Sequence, residues 1–452
     1  MTRPGKMREW SAQARRGGGA SCNGTVLIRG ARVLDPASGL DATTPVLLQN
    51  GIVAAIGSTA ARTQAECSID AQGCWLTPGL VDLCARFREP GQTHKATFAS
   101  ETRAAQAAGI THVLIPPDTQ PVIDTPAMML RLQRIAEQAG GGLGVHGLGA
   151  LTKDLNGDAL AELSALKAAG AVGASNGLAP VRDSRIARRA LEYAKGLDLP
   201  VHVFAQDAAL ASGGCAHEGP VATRLGLTPI PVAAEVAALR FWISLVEDTG
   251  ARVHFCRLST ARGAELLASA LRRKLPVSAD VAAHQLHLTD LDVDGFDARC
   301  HVIPPLRSRD DRDALRDAVR SGVVQAICSD HQPHEADAKI NPFPLTEPGI
   351  SGLESLLPLT LALVHEGLLT PLDAVARLTC GPAAIAGIGA GRITVGEPAD
   401  LVLIDPDRDW ILRPENLVSS GRNTPFSGRT MRGKVLRSFH AGIEVYTAAG
   451  ST

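Results

Sequence analysis

Through the middle of the chain, short apolar runs alternate with longer stretches rich in Ala, Leu and Arg. The runs fall at residues 80–83, 112–116, 143–147, 171–174, 200–204, 252–256, 276–280 and 324–329. Each has the length of a strand buried on both faces, and most are bounded by Gly or Pro. The intervening stretches, such as 184–195 and 232–246, carry helical periodicity. Eight strand-then-helix units over residues 74–390 predict an α/β fold, a (β/α)8 TIM barrel. An open doubly wound sheet would be the competing reading, but no GxGxxG follows the first strand.

The two ends differ from this middle. Residues 25–34, 46–49 and 52–56 read as strands, the last two joined by Asn50-Gly51, a tight-turn signal. Residues 401–404, 410–412 and 434–439 are similarly β-rich. Segments 24–73 and 391–452 are therefore expected to join in one small β-sandwich domain. Residues 1–23 have five basic residues against one acid and no apolar segment, which reads as a flexible extension rather than a secretory signal.

Composition adds exclusions. Hydrophobic residues make up 45% and charged residues 20%, a globular profile, and the formal net charge is −1. Bulk electrostatics give no reason to expect nucleic acid or an anionic membrane as partner. Nine cysteines without a CxxC pair predict reduced thiols and a cytoplasmic protein. No apolar run is long enough to span a bilayer.

The specific signals sit at the predicted strand ends. Pro78-Gly79-Leu80-Val81-Asp82 leads into Cys84-Ala85-Arg86-Phe87-Arg88. His254-Phe255-Cys256-Arg257-Leu258-Ser259-Thr260, Ser329-Asp330-His331-Gln332-Pro333-His334 and Gly352-Leu353-Glu354 follow. Gly396-Glu397-Pro398-Ala399-Asp400-Leu401 and Asn423-Thr424-Pro425-Phe426-Ser427-Gly428 complete the series. In this order, from about residue 25 to 446, the motifs resemble the dihydroorotase family of the amidohydrolase superfamily.

That resemblance implies a binuclear zinc centre made of an HxH pair, a bridging acid or carboxylated lysine, two further histidines and an aspartate. Zinc would activate water against a ring amide. Here the HxH pair falls on Cys84 and Arg86, the bridging position on Asn176, and the two histidines on Phe204 and Arg257. Asp330 alone is kept. A phenyl ring has no lone pair to donate and a guanidinium has no acceptor atom, so these positions predict no metal and no other cofactor. Arg86 and Arg257 are expected to serve as counter-ions for Asp330. Cys84 reads as a buried thiol filling space rather than as a ligand or nucleophile. A rebuilt site using Asp330, His331, His334 and His284 is the less favoured alternative.

The substrate grip implied by the resemblance is half retained. Arg88 matches the arginine that holds the substrate carboxylate, and His334 matches the last histidine of the Asp-His-x-Pro-His pattern. Asp118 stands where the family has asparagine, and is expected to repel an anionic substrate.

Taken together, these positions predict a non-catalytic chain, and the resemblance to degenerate dihydroorotase-like chains implies a role in supporting assembly of aspartate carbamoyltransferase in pyrimidine biosynthesis. The family precedent implies six copies of each chain, with the barrel protein as a dimer. Two alternatives stand beside this: an active zinc-dependent dihydroorotase or related cyclic amidohydrolase with an unorthodox metal site, and a regulator that senses a pyrimidine intermediate through Arg88 and His334.

Overall fold

The computed structural model describes residues 24–449; the predicted extension at residues 1–23 lies outside them. Eight parallel strands form the barrel. They are β1 (Leu80–Asp82), β2 (Ile110–Ile115), β3 (Gly144–Ala150), β4 (Gly173–Ser175), β5 (Val201–Val203), β6 (Val253–Phe255), β7 (Val277–Ala282) and β8 (Ala326–Cys328). Valine, alanine and glycine dominate these short segments, as burial on both faces requires. The ladder runs from β1 to β8 without a break, and the ring closes just past the strand ends, where Ala85 and His331 form a parallel bridge. Asp82 reinforces the closure. Its carboxyl accepts from the Ser329 backbone N–H at 2.9 Å and from the Ser329 hydroxyl.

Residues alternate across each strand. Val201, Val203, Val253 and Phe255 join the core shared with the surrounding helices, which include Ser184–Gly196 and Val232–Thr249. His202 and His254 consequently point into the barrel. Ser175, His202, His254 and Ser278 lie opposite one another in register, a polar row across four strands.

Both chain ends build the second body. A four-stranded sheet takes strands Val26–Arg29, Val46–Gln49, Ile52–Ile56 and Cys67–Asp70. A six-stranded sheet runs in the order Ile443–Thr447, Thr430–His440, Leu401–Ile411, Trp75–Pro78, Arg32–Asp35, Leu40–Thr43. Val26, Ile28 and Leu48 from the first sheet pack against Val33, Leu76 and Leu403 from the second.

Three strand expectations need correction. Residues 25–34 are two strands that enter different sheets, because the chain turns at Gly30 with φ of 78°. Residues 401–404 and 410–412 belong to one strand, whose register shifts between Asp405 and Asp409 absorb Pro406. Trp75–Pro78, which joins the two ends of the chain, carried no strand signal because Pro78 and Gly79 read as a break. Among the described residues no helix is long and apolar enough to cross a membrane.

Candidate active site at the barrel mouth

The loops after β1, β6 and β8 bring the motif residues together. Arg88, Arg257 and Asp330 all have positive φ, at 63°, 55° and 43°, so three site residues hold a backbone conformation that costs energy outside glycine. The β6 loop is held by Glu235, whose buried carboxyl accepts from the Ser259 N–H at 2.9 Å and the Thr260 N–H at 3.0 Å, and from both hydroxyls at 2.6 Å. Asn423 fixes the β8 loop through the carbonyls of Gln332 and Gly349 and the N–H of His334.

At the centre lies Asp330, 1% exposed. Arg257 Nη1 is 2.9 Å from its Oδ1 and Arg86 Nη1 is 3.5 Å away. Phe204 stacks beneath the first guanidinium, with Arg257 Cζ 4.8 Å from the ring centroid. Cys84 Sγ lies 3.6 Å from Asp330 Oδ1 and 3.3 Å from Arg257 Nη1. Burial pushes its thiol up to about 12 despite the two arginines, so it is no nucleophile near neutral pH. The Asn176 amide is fully engaged. It accepts from Thr152 at 2.6 Å and donates to Leu155 and Ala179 carbonyls at 3.1 Å, tying a loop.

Asp118 behaves differently from the expectation of repulsion. Arg86 Nε donates to its Oδ2 at 2.9 Å, and Nη2 stands 2.8 Å from the same atom. Burial raises the Asp118 carboxyl, but the Arg86 charge and hydrogen bond outweigh it and hold the group below its usual range. Its charge is thus compensated within the protein.

Arg88 donates to the Pro333 carbonyl at 3.1 Å and to Gln92 at 3.3 Å, with Nη2 3.0 Å from His334 Nε2. Burial, together with Arg86, lowers it to about 10. His334 is pushed far down by burial and by Arg88 and Lys95, so it is neutral. The cleft lined by Arg86, Arg88, Asp118 and Gln120 has only about 20 Å³ open to water, room for a single molecule.

The motif positions do not fit a zinc ion. Two guanidinium groups and a phenyl ring occupy them, and the one carboxyl is already paired. The rebuilt alternative also falls short, since His331 is committed on both sides, donating to Glu101 at 2.9 Å and accepting from the Gly352 N–H at 3.1 Å.

One layer deeper the donors do fit. His202, His254 and Cys256 place one ligand atom each within 4.8 Å of one another. His202 Nε2 is buried without a hydrogen-bond partner, and burial brings the imidazole down to about 3, the neutral form a metal requires. His254 Nε2 lies 3.0 Å from Asp280, the carboxylate–histidine pairing common behind metal ligands. Its Nδ1 is 2.9 Å from the Ser278 hydroxyl, which, unlike the backbone N–H on His331, would have to rotate away to free that nitrogen for an ion. Burial holds the Cys256 thiol well above its ordinary range, so it would ligate only by giving its proton up to the ion. A divalent ion there would supply Lewis acidity. The motif comparison passed over His202 and Cys256. The usable signal was alternation, because His202 is two residues before Phe204 and Cys256 two after His254, on the same inward side of their strands.

A profile of the amidohydrolase family matches residues 75–444, so the chain belongs to the amidohydrolase family. Within it the chain is dihydroorotase-like. It is 51% identical over 411 residues to the "Dihydroorotase-like protein" of Pseudomonas aeruginosa, covering 91% of this chain and 97% of that protein. It is 42% identical over 421 residues to the "Dihydroorotase" of Syntrophotalea carbinolica, covering 93% and 99%. The L-hydantoinase (dihydropyrimidinase) of Arthrobacter aurescens superposes with a TM-score of 0.84 at 24% identity, over 93% of this chain and 96% of that one, which shows the shared fold.

The expectation of a chain that catalyses nothing is corrected by these findings. Near-full-length relatives are named as dihydroorotases, and a group able to hold a metal is present. Donor atoms lie below the strand-end positions as well as at them.

Proposed function

We propose that the chain is a cyclic-amide hydrolase of the dihydroorotase kind, working with an unorthodox site. The observation that carries the reading is Asp330, kept at the end of β8 and held between two guanidinium groups at the mouth of a dihydroorotase-like barrel. Asp330 is the group placed to accept a proton from attacking water. Arg86 and Arg257 offer fixed positive charge to an amide oxygen as it becomes anionic, the task that the family resemblance assigns to zinc. Arg88 is the anchor for a substrate carboxylate. His202, His254 and Cys256 are the donors available to an ion. Entry of a ring larger than one water requires the Arg86–Asp118 clasp to open.

The test is ring opening of dihydroorotate and ring closure of carbamoyl aspartate by the purified chain, with and without added zinc, beside Asp330→Asn. Turnover lost in the variant supports the reading. Equal rates for both proteins, or none under either metal condition, overturn it.

A second reading concerns the outer surface and stands beside catalysis. We infer assembly with the catalytic chain of aspartate carbamoyltransferase, six copies of each, with this chain as a dimer. Its support is the combination of exchanged residues at the mouth with the "dihydroorotase-like" name of the relatives that are 51% and 50% identical. Co-expression with the transferase from the same cell should give one large species on a sizing column. Separate elution together with a fully active lone transferase would refute it.

A further inference from the structure

We propose that His112, Asp400 and His440 bind a divalent transition cation of zinc's class at the floor of the barrel, at the opposite end from the active site.

The three residues come from parts of the chain far apart in sequence. His112 is near the start of β2, Asp400 immediately precedes strand Leu401–Ile411, and His440 ends strand Thr430–His440. They meet where the β domain docks under the barrel, since the Asp400 carbonyl accepts from the Gly79 N–H at 2.8 Å, one residue before β1. His112 Nε2 is 3.0 Å from Asp400 Oδ2, and His440 Nδ1 is 3.0 Å from Oδ1. All three donor atoms fall within 4.8 Å of one another.

These spacings suit an ion. Ligands about 2.1 Å from zinc lie roughly 3 to 3.4 Å apart, so the imidazoles, each 3.0 Å from a different oxygen of Asp400, would reach one ion by a small rotation of that carboxylate. Two imidazoles with one carboxylate form an N/O set that zinc, cobalt and nickel accept. The side chains are 14%, 13% and 22% exposed, which leaves a path for the ion and for water as a further ligand.

A fourth residue stands behind the set. His112 Nδ1 is 3.1 Å from His146 Nε2. His112 Nε2 is in hydrogen-bond contact with the Asp400 carboxylate. A bound cation would displace the proton between them, with His112 Nδ1 then donating to His146 in the outer-shell arrangement that orients metal-bound histidines. Asp400 supplies the carboxylate of the set, between the two imidazoles.

The experiment uses the full chain without an affinity tag, stripped with chelator and titrated with cobalt(II) and then zinc. Alongside any cobalt held by the His202 group, one cobalt should bind with a visible spectrum of N/O type, seen without a thiolate charge-transfer band in Cys256→Ser. That binding should survive Cys256→Ser, which separates it from the His202 group, and weaken at least about tenfold in His440→Gln. His440→Gln keeps an N–H for Asp400 and so tests ligation rather than folding; Asp400→Asn provides a second variant. Zinc should also raise the thermal midpoint of wild type but not of His440→Gln. The proposal falls if no cobalt binds beyond what Cys256→Ser removes, or if neither His440→Gln nor Asp400→Asn weakens it.

Discussion

Arg257 sets Nη1 2.9 Å from Asp330 Oδ1 across the barrel mouth, with both side chains at most 3% exposed. Charges this buried are strongly interdependent, because the Coulomb attraction offsets a desolvation cost that each would otherwise bear alone. Arg257→Ala removes the nearer partner and leaves only Arg86 at 3.5 Å. Stability should fall by about 3 kcal/mol, measured by urea denaturation. Arg257→Met combined with Asp330→Leu should recover most of that loss, since no buried charge is left unpaired.

Asp82 gives the barrel seam a pH dependence. Burial raises its carboxyl to about 7 against the hydrogen bonds from Ser329 and Cys84. The folded state therefore holds the proton more tightly than the unfolded chain does. The resulting stability is fully present below the ordinary carboxyl range and is lost as pH rises towards about 7. Urea midpoints at about pH 5 and about pH 8 should differ less in Asp82→Asn than in wild type. An unchanged difference would show that Asp82 does not set it.

Glu235 acts on the site without touching it. Its four hydrogen bonds hold Ser259 and Thr260, next to Arg257. Glu235→Ala strands two buried N–H groups and should cost about 3 kcal/mol in a denaturation assay. Glu235→Gln keeps one acceptor and should cost less.

Arg88 and Asp330 should separate kinetically. Arg88→Ala removes an anchor made in ground and transition states alike, so KM should rise about tenfold or more while kcat changes less. Asp330→Asn should lower kcat by about 100-fold with a smaller effect on KM. Steady-state ring-opening kinetics on both variants decide this.

The deeper donor group has its own signature. Cobalt bound by His202, His254 and Cys256 should show a thiolate charge-transfer band in the near ultraviolet, and Cys256→Ser should abolish it. No band in wild type would remove Cys256 from the ligand set.

The barrel was legible because burial on both faces writes itself as short runs rich in apolar residues, such as residues 171–174. The pairing of the two chain ends was legible only in outline. Gly30 divides one apolar run between two sheets, which no local pattern announces. At the site, motif order located Arg86, Arg88, Arg257 and Asp330, all of which meet at the mouth. What the motifs could not convey was pairing: Asp118 is compensated by Arg86 across 32 positions, and Phe204 supports Arg257 with its ring face. The donors His202 and Cys256 escaped because a comparison by motif looks only where relatives keep ligands.

Trp75–Pro78 is flanked on one side by Arg32–Asp35 and on the other by Leu401–Ile411. A ribosome reaches the second neighbour only at residue 401, long after the strand itself has emerged. Until then the strand that feeds β1 presents a bare row of peptide groups to solvent or to a chaperone. A message that stops short of residue 400 would consequently yield a product with a sticky margin beside its barrel, fit for degradation rather than partial use.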